Sequence, residues 1–527
     1  MTGLDTKKIR PVPVLHPYLG KDVPWLLAGQ AEARSEQVFL VWEDFGQPPQ
    51  QWTYEAFWRA VRGLAAGLSE RGVGAGDPVL IHMDNCPEFL VGWFACSVIG
   101  AIAVTTNTRY APDELNYAID HARTQVALTQ PQYLDLVGKA GSDLDFIAVT
   151  GDASTGQEER AVGWSELELD SEPPIRAPDP MLPLCVQYTS GTTARPKGVV
   201  WTHANGLWCG QINTQHFLLT EADIAMTVFP LFHTNAMGYS VLGTLWSGGT
   251  VVLQPKFSAS RYWDVVVRNQ CTWSSINGFV MQALSEIPVP SHKLRYWPIG
   301  VGDVDFVEKH FGVKLIGMWG MTETVGHGII SYPQVKGREG AIGMVAPEYE
   351  IAVRDESGAD LQPTDGGVTG RLLIRGVPGL TIFKEYLHDP EATANSFDDD
   401  GWFETGDLVT IFADGSIVFS DREKDMLKIG AENVAASEIE RVVQSVPGVA
   451  ELAVVGRPDK MLDEVPVVFV RAPEQGFADL AEAIKAACEE QLADFKRPRE
   501  VIRVDDFPRS TIDKISKKEL RARFQKE

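Results

Sequence analysis

The sequence predicts an α/β protein: a large N-terminal domain of βα layers with a distorted antiparallel β-subdomain, then a small α+β C-terminal domain. Three observations lead there. Helical and strand periods alternate over residues 54–128, and again over 182–326. After Gly340 the texture turns to short strands punctuated by Gly and Asp. From Lys424 to the end, helical and strand patterns mix in one compact stretch. Alternation of the first kind implies parallel sheet with helical crossovers, and the second kind implies antiparallel structure.

Each element has its own warrant. Residues 54–71 place Phe57, Val61, Leu64, Ala65 and Leu68 on one face of a helix. Residues 78–83 are a short apolar strand, 87–99 a helix apolar all round, 101–105 a strand, 112–121 a helix and 125–128 a strand. An acidic, Gly-containing stretch, 151–180, reads as a surface connection. The second block offers strands at 225–229, 250–253 and 315–318. The third offers 350–354, 370–375 and 409–412. The last part offers helices at 436–445 and 478–492 around strands at 449–455 and 465–470.

Composition narrows the function. The 527 residues carry 47 Lys/Arg against 71 Asp/Glu, a net charge of −24. That excess speaks against a protein whose partner is nucleic acid or an anionic membrane. Residues 425–527 hold 17 of the basic and 20 of the acidic side chains, so the negative charge lies mostly before them. Within 496–526 there are eleven basic residues and five acidic ones; this run is either a solvated helix face or a basic cap over phosphates. The six cysteines are scattered, with no C-x-x-C pair, and read as buried thiols of a reduced cytoplasm. The first twenty residues have no apolar stretch after Lys7, Lys8 and Arg10, so no secretory signal is expected. The longest uncharged apolar stretch, within 89–104, falls short of the ~20 residues a membrane helix needs, and no stable membrane insertion is expected.

The most informative segment is Tyr188-Thr189-Ser190-Gly191-Thr192-Thr193-Ala194-Arg195-Pro196-Lys197-Gly198. Hydroxyl residues interleaved with glycine and followed by lysine suit a loop around a polyphosphate: glycine admits the backbone N–H groups, hydroxyls add donors, and Lys197 adds charge. A Walker loop would need G-x-x-x-x-G-K-[S/T], which this is not.

This loop resembles the signature of the adenylate-forming superfamily of acyl-CoA synthetases, peptide-synthetase adenylation domains and luciferases. Further matches follow in the family's order: Phe232-His233, Trp319-Gly320-Met321-Thr322-Glu323, Gly401-Trp402-Phe403-Glu404-Thr405-Gly406-Asp407, Asp421-Arg422-Glu423-Lys424-Asp425, and 508–520 around Lys514. The chain departs from the family pattern at Ala194 and at Asp513, where glycine is usual, and at Trp319, where tyrosine is usual.

The resemblance implies a large domain over 1–423, a mobile C-terminal domain over 424–527, and a hinge at Lys424. It implies ATP or AMP binding by Thr189, Ser190, Gly191, Thr192, Thr193, Lys197, Gly302, Asp303, Trp319, Gly320, Met321, Thr322, Asp407, Arg422 and Lys514. Thr322 would bond the α-phosphate, Glu323 would offer a hard oxygen to Mg²⁺, Trp319 would stack on adenine, and Asp407 would accept from the ribose hydroxyls. Lys514 would stabilise the charge that builds as a carboxylate attacks the α-phosphate. Rotation of the small domain would then bring Lys428 and Gly430 to the site, where coenzyme A enters.

His233 stands where amino-acid-activating relatives place an aspartate, which argues against an α-amino acid substrate. By resemblance the acyl pocket includes His233, Asn235, Met237, Asn277, Gly278, Phe279, Gly302 and Val325. Among acyl-CoA synthetases, residues 82–89 and 382–386 look most like carnitine/crotonobetaine-CoA ligases. The expected reaction joins a small carboxylic acid to CoA by way of an acyl-adenylate, with ATP converted to AMP and pyrophosphate. Only thirteen residues follow Lys514, which favours a diffusible thiol over an attached carrier domain. Two alternatives stay open: a stand-alone enzyme that loads a carrier protein, and a silent homologue that binds acyl-adenylates or CoA. The oligomeric state is not legible, although a dimer would fit.

Overall fold

The computed structural model describes residues 15–110, 112–151, 158–189, 196–300, 304–332, 334–335, 337–422, 426–429, 432–459, 462–492, 494–509 and 515–525. By the density of its contacts the chain divides into two compact units, Met1–Ile351 with Ile374–Phe403, and Ala352–Leu373 with Glu404–Glu527. Residues 352–373 and 404–422 thus group with the C-terminal part. The hinge expected at Lys424 lies outside the described residues.

The first unit carries two sheets. One has eight strands among the described residues. Pro78–His82, Ile102–Thr105, Val126–Thr129, Phe146–Val149, Ala161–Gly163 and Pro183–Thr189 run parallel, and Lys197–Thr202 and Glu385–Tyr386 add antiparallel strands at one edge. The other has nine strands among those residues. Its parallel centre is Val38–Trp42, Thr250–Leu253, Ile224–Thr227, Trp273–Ser274, Tyr296–Ile299 and Lys314–Trp319. Short antiparallel strands, among them Ile329–Ile330 and Met344–Val345, close its edges. The βα reading of both blocks is borne out.

The helix Pro87–Ile99 shows why its sequence is apolar on every face: it is buried almost throughout, including Phe89, Trp93, Phe94 and Cys96. Proline at its first turn and Gly100 in the left-handed region beyond its last set its two ends. The neighbouring helix Tyr54–Glu70 is amphipathic, and Thr53 caps it by accepting from the Ala56 N–H at 3.1 Å. Phe57 packs edge-on against Phe94 with centroids 5.8 Å apart.

Residues 151–180 correct one expectation, because they are not merely a surface connection. Ala161–Gly163 joins the eight-stranded sheet in parallel, and Trp164 and Leu167 are buried. The chain then crosses the helix Tyr54–Glu70 over Gly63 and Gly67, with the Leu169 N–H donating to the Gly63 carbonyl at 3.2 Å. A Cβ on Gly67 would lie 2.0 Å from the Leu167 carbonyl oxygen. Alanine normally favours a helix over glycine by about 1 kcal/mol, but here the clash reverses the sign. Gly67→Ala is expected to destabilise by about 1–3 kcal/mol, read as a lower urea midpoint; a raised midpoint would overturn this account of the crossing.

Among its described residues the second unit combines a four-stranded sheet with a five-stranded one. In the latter, Met426–Ile429, Glu432–Ala435, Glu451–Asp459 and Asp463–Arg471 pair antiparallel, and Glu500–Val504 runs parallel to Asp463–Arg471. The period of two along Ala453–Val455 and Val467–Val470 sends alternate residues to opposite faces. One face packs Val454, Val468 and Val470 under the helices Ala436–Gln444 and Phe477–Gln491. The other packs Val455, Val467 and Phe469 against Leu520 of the short helix Lys517–Ala522.

Candidate active site

The strand Pro183–Thr189 turns back into Lys197–Thr202 so that Thr189 and Lys197 are paired across the hairpin. Ser190, Gly191, Thr192 and Thr193, expected to hold phosphates, lie outside the described residues between them. Lys197 projects over the ring of Tyr386, with Nζ 4.5 Å from the centroid. The Tyr386 hydroxyl donates to Glu323 Oε1 at 3.0 Å. Burial, and then the nearby Glu323 charge, push the Tyr386 phenol far above its ordinary pKa, so it remains a donor.

Local packing holds Tyr386 there. Thr202 and Asn205 cap the helix His203–His216 reciprocally, at 3.0 and 3.1 Å. The same pair grips the chain that leads to Tyr386: Asn205 Nδ2 donates to the Leu380 and Ile382 carbonyls, both at 2.9 Å, and Thr202 Oγ1 donates to Gly379 O at 2.6 Å. The Phe383 N–H then donates to the Glu323 carbonyl at 2.8 Å.

Thr322 and Glu323 begin a 3₁₀ turn directly after the strand Lys314–Trp319. The Thr322 carbonyl accepts from Trp201 Nε1 at 2.8 Å. Its hydroxyl lies 3.3 Å from that of Thr234, which in turn donates to Gln187 Oε1 at 2.8 Å. Thr234 therefore ties the His233 segment to Thr322. His233 is half-buried, its ring edge-on to Phe232 with centroids 4.6 Å apart.

The turn ends in a strained backbone. Val325 has φ +65° and ψ −55°, and the Gly326 N–H donates across it to the Thr324 carbonyl at 2.6 Å. This is the rarer, strained γ-turn, adopted by a β-branched residue. Its neighbours over-determine it. The Thr324 hydroxyl donates to Gly326 O at 2.9 Å, and Cys209 Sγ lies 3.3 Å from Val325 O. The Tyr349 hydroxyl lies 2.8 Å from Thr324 O and 3.1 Å from Thr381 O, and accepts from Gly326 N–H and Trp208 Nε1 at 3.2 Å each. Tyr349→Phe is expected to cost about 1–3 kcal/mol of stability by leaving these buried groups unpaired; an unchanged denaturation curve would remove Tyr349 from this role.

Gly320 lies against the same turn, where a methyl would meet Gly326 O at 2.7 Å and the Tyr239 hydroxyl at 2.8 Å. Trp319 is 7% exposed, its ring close over Gly328. Met237 is buried and Val325 fully so. Asn235 opens an eight-residue π-helix, Asn235–Leu242, in which the Ser240 hydroxyl donates to the Asn235 carbonyl at 3.3 Å. Such segments are frequent at functional positions. Asn277 is exposed and its side chain caps the helix Gly278–Ser285, accepting from Val280 N–H at 2.9 Å. Of Phe279 the structure describes only the backbone.

In the second unit, Asp407 is buried and stands opposite Arg422 in the antiparallel pair Phe403–Ile411 and Ile417–Arg422. The Asp407 N–H donates to Thr405 Oγ1 at 3.1 Å. In the first unit, Met321 immediately precedes the 3₁₀ segment, its N–H donating to Thr324 Oγ1 at 2.9 Å. Lys428 lies on the strand Met426–Ile429; of its side chain and that of Arg422 nothing is described. Gly302, Asp303, Lys424, Gly430 and Lys514 lie outside the described residues.

Sequence reasoning brought Thr189, Lys197, Thr322 and Glu323 forward, and the structure assembles Lys197, Tyr386, Glu323 and Thr322 into one connected run. It did not identify Tyr386, Thr234, Gln187, Trp201 or Tyr349. Tyr386 fell inside a stretch used for resemblance, but an aromatic in a short strand carries no local signal separating a site from a core. Glu323 is 5% exposed, and among the described residues no group of three or more His, Cys, Asp or Glu could hold a metal ion. A lone buried carboxylate near a lysine fits Mg²⁺ held chiefly by substrate phosphates, the usual mode for this ion.

A hairpin that sets Thr189 opposite Lys197, near a buried carboxylate, suits an enzyme that binds phosphates. Residues 27–387 match the AMP-binding enzyme family and 438–514 match the AMP-binding enzyme C-terminal domain. The chain is 32% identical over 504 residues to a crotonobetaine/carnitine–CoA ligase of Salmonella paratyphi C, covering 92% of this chain and 96% of the relative. Its fold superposes on the anthranilate CoA ligase AuaEII in complex with anthranoyl-AMP, with TM-score 0.86 and 24% identity over 96% of this chain and 98% of that one. It also superposes on O-succinylbenzoate coenzyme A synthetase from Bacillus subtilis in complex with ATP and magnesium ion, with TM-score 0.81 and 25% identity over 95% and 99%. The chain belongs to the AMP-binding enzyme family, and within it to the AMP-forming acyl-CoA ligases.

Proposed function

We propose that this enzyme activates a small carboxylic acid with ATP and transfers the acyl group to coenzyme A, using the residues assembled around Thr322 and Glu323. The connected run Lys197–Tyr386–Glu323–Thr322 carries this reading, because it sets a cation, a donor, a carboxylate and a hydroxyl side by side at the end of a parallel strand.

In the first step the substrate carboxylate oxygen bonds the α-phosphorus while the bond to pyrophosphate breaks. Lys197 and the hydroxyls of residues 189–193 hold the phosphates, and Thr322 donates to the α-phosphate. Lys514 stabilises the charge that builds on the transferring group. Glu323, oriented by Tyr386, would hold Mg²⁺, which when bound neutralises the pyrophosphate charge. Asp407 and Arg422 take the ribose side, and Trp319 the adenine.

In the second step the CoA sulfur bonds the acyl carbon and AMP leaves. His233 is assigned to the thiol entry, with Lys428 and Gly430 presented by the C-terminal domain, 424–527, after rotation about Lys424. All six cysteines are buried free thiols, in keeping with a reducing cytoplasm. No helix among the described residues is long and apolar enough to cross a membrane.

The test is ATP–pyrophosphate exchange across a panel of carboxylic acids, followed by thioester detection with and without CoA. Acid-dependent exchange and CoA-dependent thioester are expected. Exchange without thioester would favour carrier-protein loading, and ligand binding without exchange a silent homologue.

A further inference from the structure

Four histidines are fully or almost fully buried among the described residues, and three of them are anchored. His82 Nδ1 lies 2.9 Å from Thr106 Oγ1, His203 Nδ1 accepts from Val23 N–H at 3.4 Å, and His216 Nε2 lies 3.3 Å from Glu348 Oε2. His327 differs. It is 0% exposed, and neither ring nitrogen has a hydrogen-bond partner among the described residues. A histidine kept only to fill a core has no use for two unpaired nitrogens, since an apolar ring would fill the space without the desolvation penalty.

His327 lies beside the segments that carry the expected acyl-pocket residues. It follows Thr322 by five residues and Val325 by two. Its ring lies 4.2 Å from that of Tyr239, which belongs to the π-helix carrying Asn235 and Met237 and whose hydroxyl approaches Gly320. Phe217 lies 5.2 Å away on another side and His216 5.9 Å away. Phe217 leads on to Trp273 at 5.4 Å. Trp273 Nε1 and His216 Nδ1 are also buried without partners among the described residues. Unpaired donors and acceptors thus recur along one line of touching rings.

We propose that His327 is the specificity-determining residue at the closed end of the acyl pocket, and that the acid activated here bears a distal neutral hydrogen-bonding group, a hydroxyl or carbonyl. This rests on the ligase reading above. Burial, and then the proximity of His216, hold the His327 imidazole well below its ordinary pKa. The neutral ring offers one donor and one acceptor, which matches a hydroxyl or carbonyl. It gives nothing to a methyl end, and an aromatic enclosure for a quaternary ammonium would have no need of unpaired ring nitrogens.

The experiment measures kcat/KM for pyrophosphate exchange with straight-chain acids, each paired with its ω-hydroxy, ω-oxo and ω-trimethylammonio counterpart. The wild-type enzyme is expected to favour the hydroxy or oxo acid over its alkyl partner by at least about 100-fold, because an unmatched substrate leaves buried polar groups unpaired. His327→Leu is expected to bring that ratio below about tenfold while retaining exchange with the alkyl acid, and His327→Gln to keep most of it. Equal rates for both members of a pair in the wild type, preference for the trimethylammonio acid, or an unchanged ratio in His327→Leu would overturn the proposal and leave the ligase reading standing. If His327→Leu does not fold, the wild-type ratios and His327→Gln decide. Failure of every acid to support exchange would remove the ligase reading, and this proposal with it.

Discussion

An enzyme carrying Lys514→Ala is expected to lose acid-dependent pyrophosphate exchange by about 100- to 1000-fold, the usual effect of deleting one preorganised donor to developing charge. The physical reason is specific to the first half-reaction. As the carboxylate approaches the α-phosphorus, negative charge spreads over the transferring group, and a fixed ammonium stabilises that state more than the ground state. The second half-reaction disperses charge instead of concentrating it, so conversion of a synthetic acyl-adenylate and CoA to the thioester is expected to stay within a few-fold of wild type. Equal losses in both half-reactions would point to misfolding, and no loss in exchange would exclude Lys514 from catalysis. Asp513 beside it gives a second handle: Asp513→Gly restores the family's usual pair, and its effect on exchange alone reports whether the aspartate restrains the lysine.

Glu323→Gln should be nearly as damaging by a different route. The amide keeps the size of the carboxylate and can still accept from the Tyr386 hydroxyl, now at 3.0 Å from Oε1, so the fold around the turn should survive. What is lost is a negative charge in a site only 5% exposed, where screening by water is weak. Exchange is expected to fall by about 100-fold or more, with a shift of the Mg²⁺ titration to higher concentration. A variant with wild-type exchange and an unmoved Mg²⁺ titration would show that the carboxylate serves only to hold Tyr386. Tyr386→Phe separates the two roles, since it removes the donor and spares the charge.

The layers of this protein were legible wherever one local rule was enough. The alternation of periods gave the parallel strands of both sheets, and an unbroken apolar run gave the buried helix Pro87–Ile99. Residues 151–180 misled because acidic and Gly-containing sequence has the composition of a surface loop. What lets Leu167 and Leu169 cross a helix closely is the pair Gly63 and Gly67 on a different element, a tertiary fact with no local trace. The site divided in the same way. Thr189, Lys197, Thr322 and Glu323 stand out because their chemistry and order recur in a known family. Tyr386, Thr234 and Tyr349 act through hydroxyl contacts made across long sequence separations, and His327 looks like any histidine until its two nitrogens are found without partners among the described residues.

The π-helix Asn235–Leu242 also bears on how this pocket can change. Its bonding takes in one more residue per turn than an ordinary helix, so removing one residue near its middle, after Met237, shortens the bonds that span it to ordinary helical spacing. Because an α-helix turns about 100° per residue, such a deletion swings every side chain before it, Asn235 and Met237 among them, to a new face relative to Gly243–Ser247. Length variation at this one place can therefore turn Asn235 and Met237, both expected in the acyl pocket, to new directions in one step. No succession of point replacements does the same, and a library of single-residue deletions is the shorter route to a ligase with a different appetite.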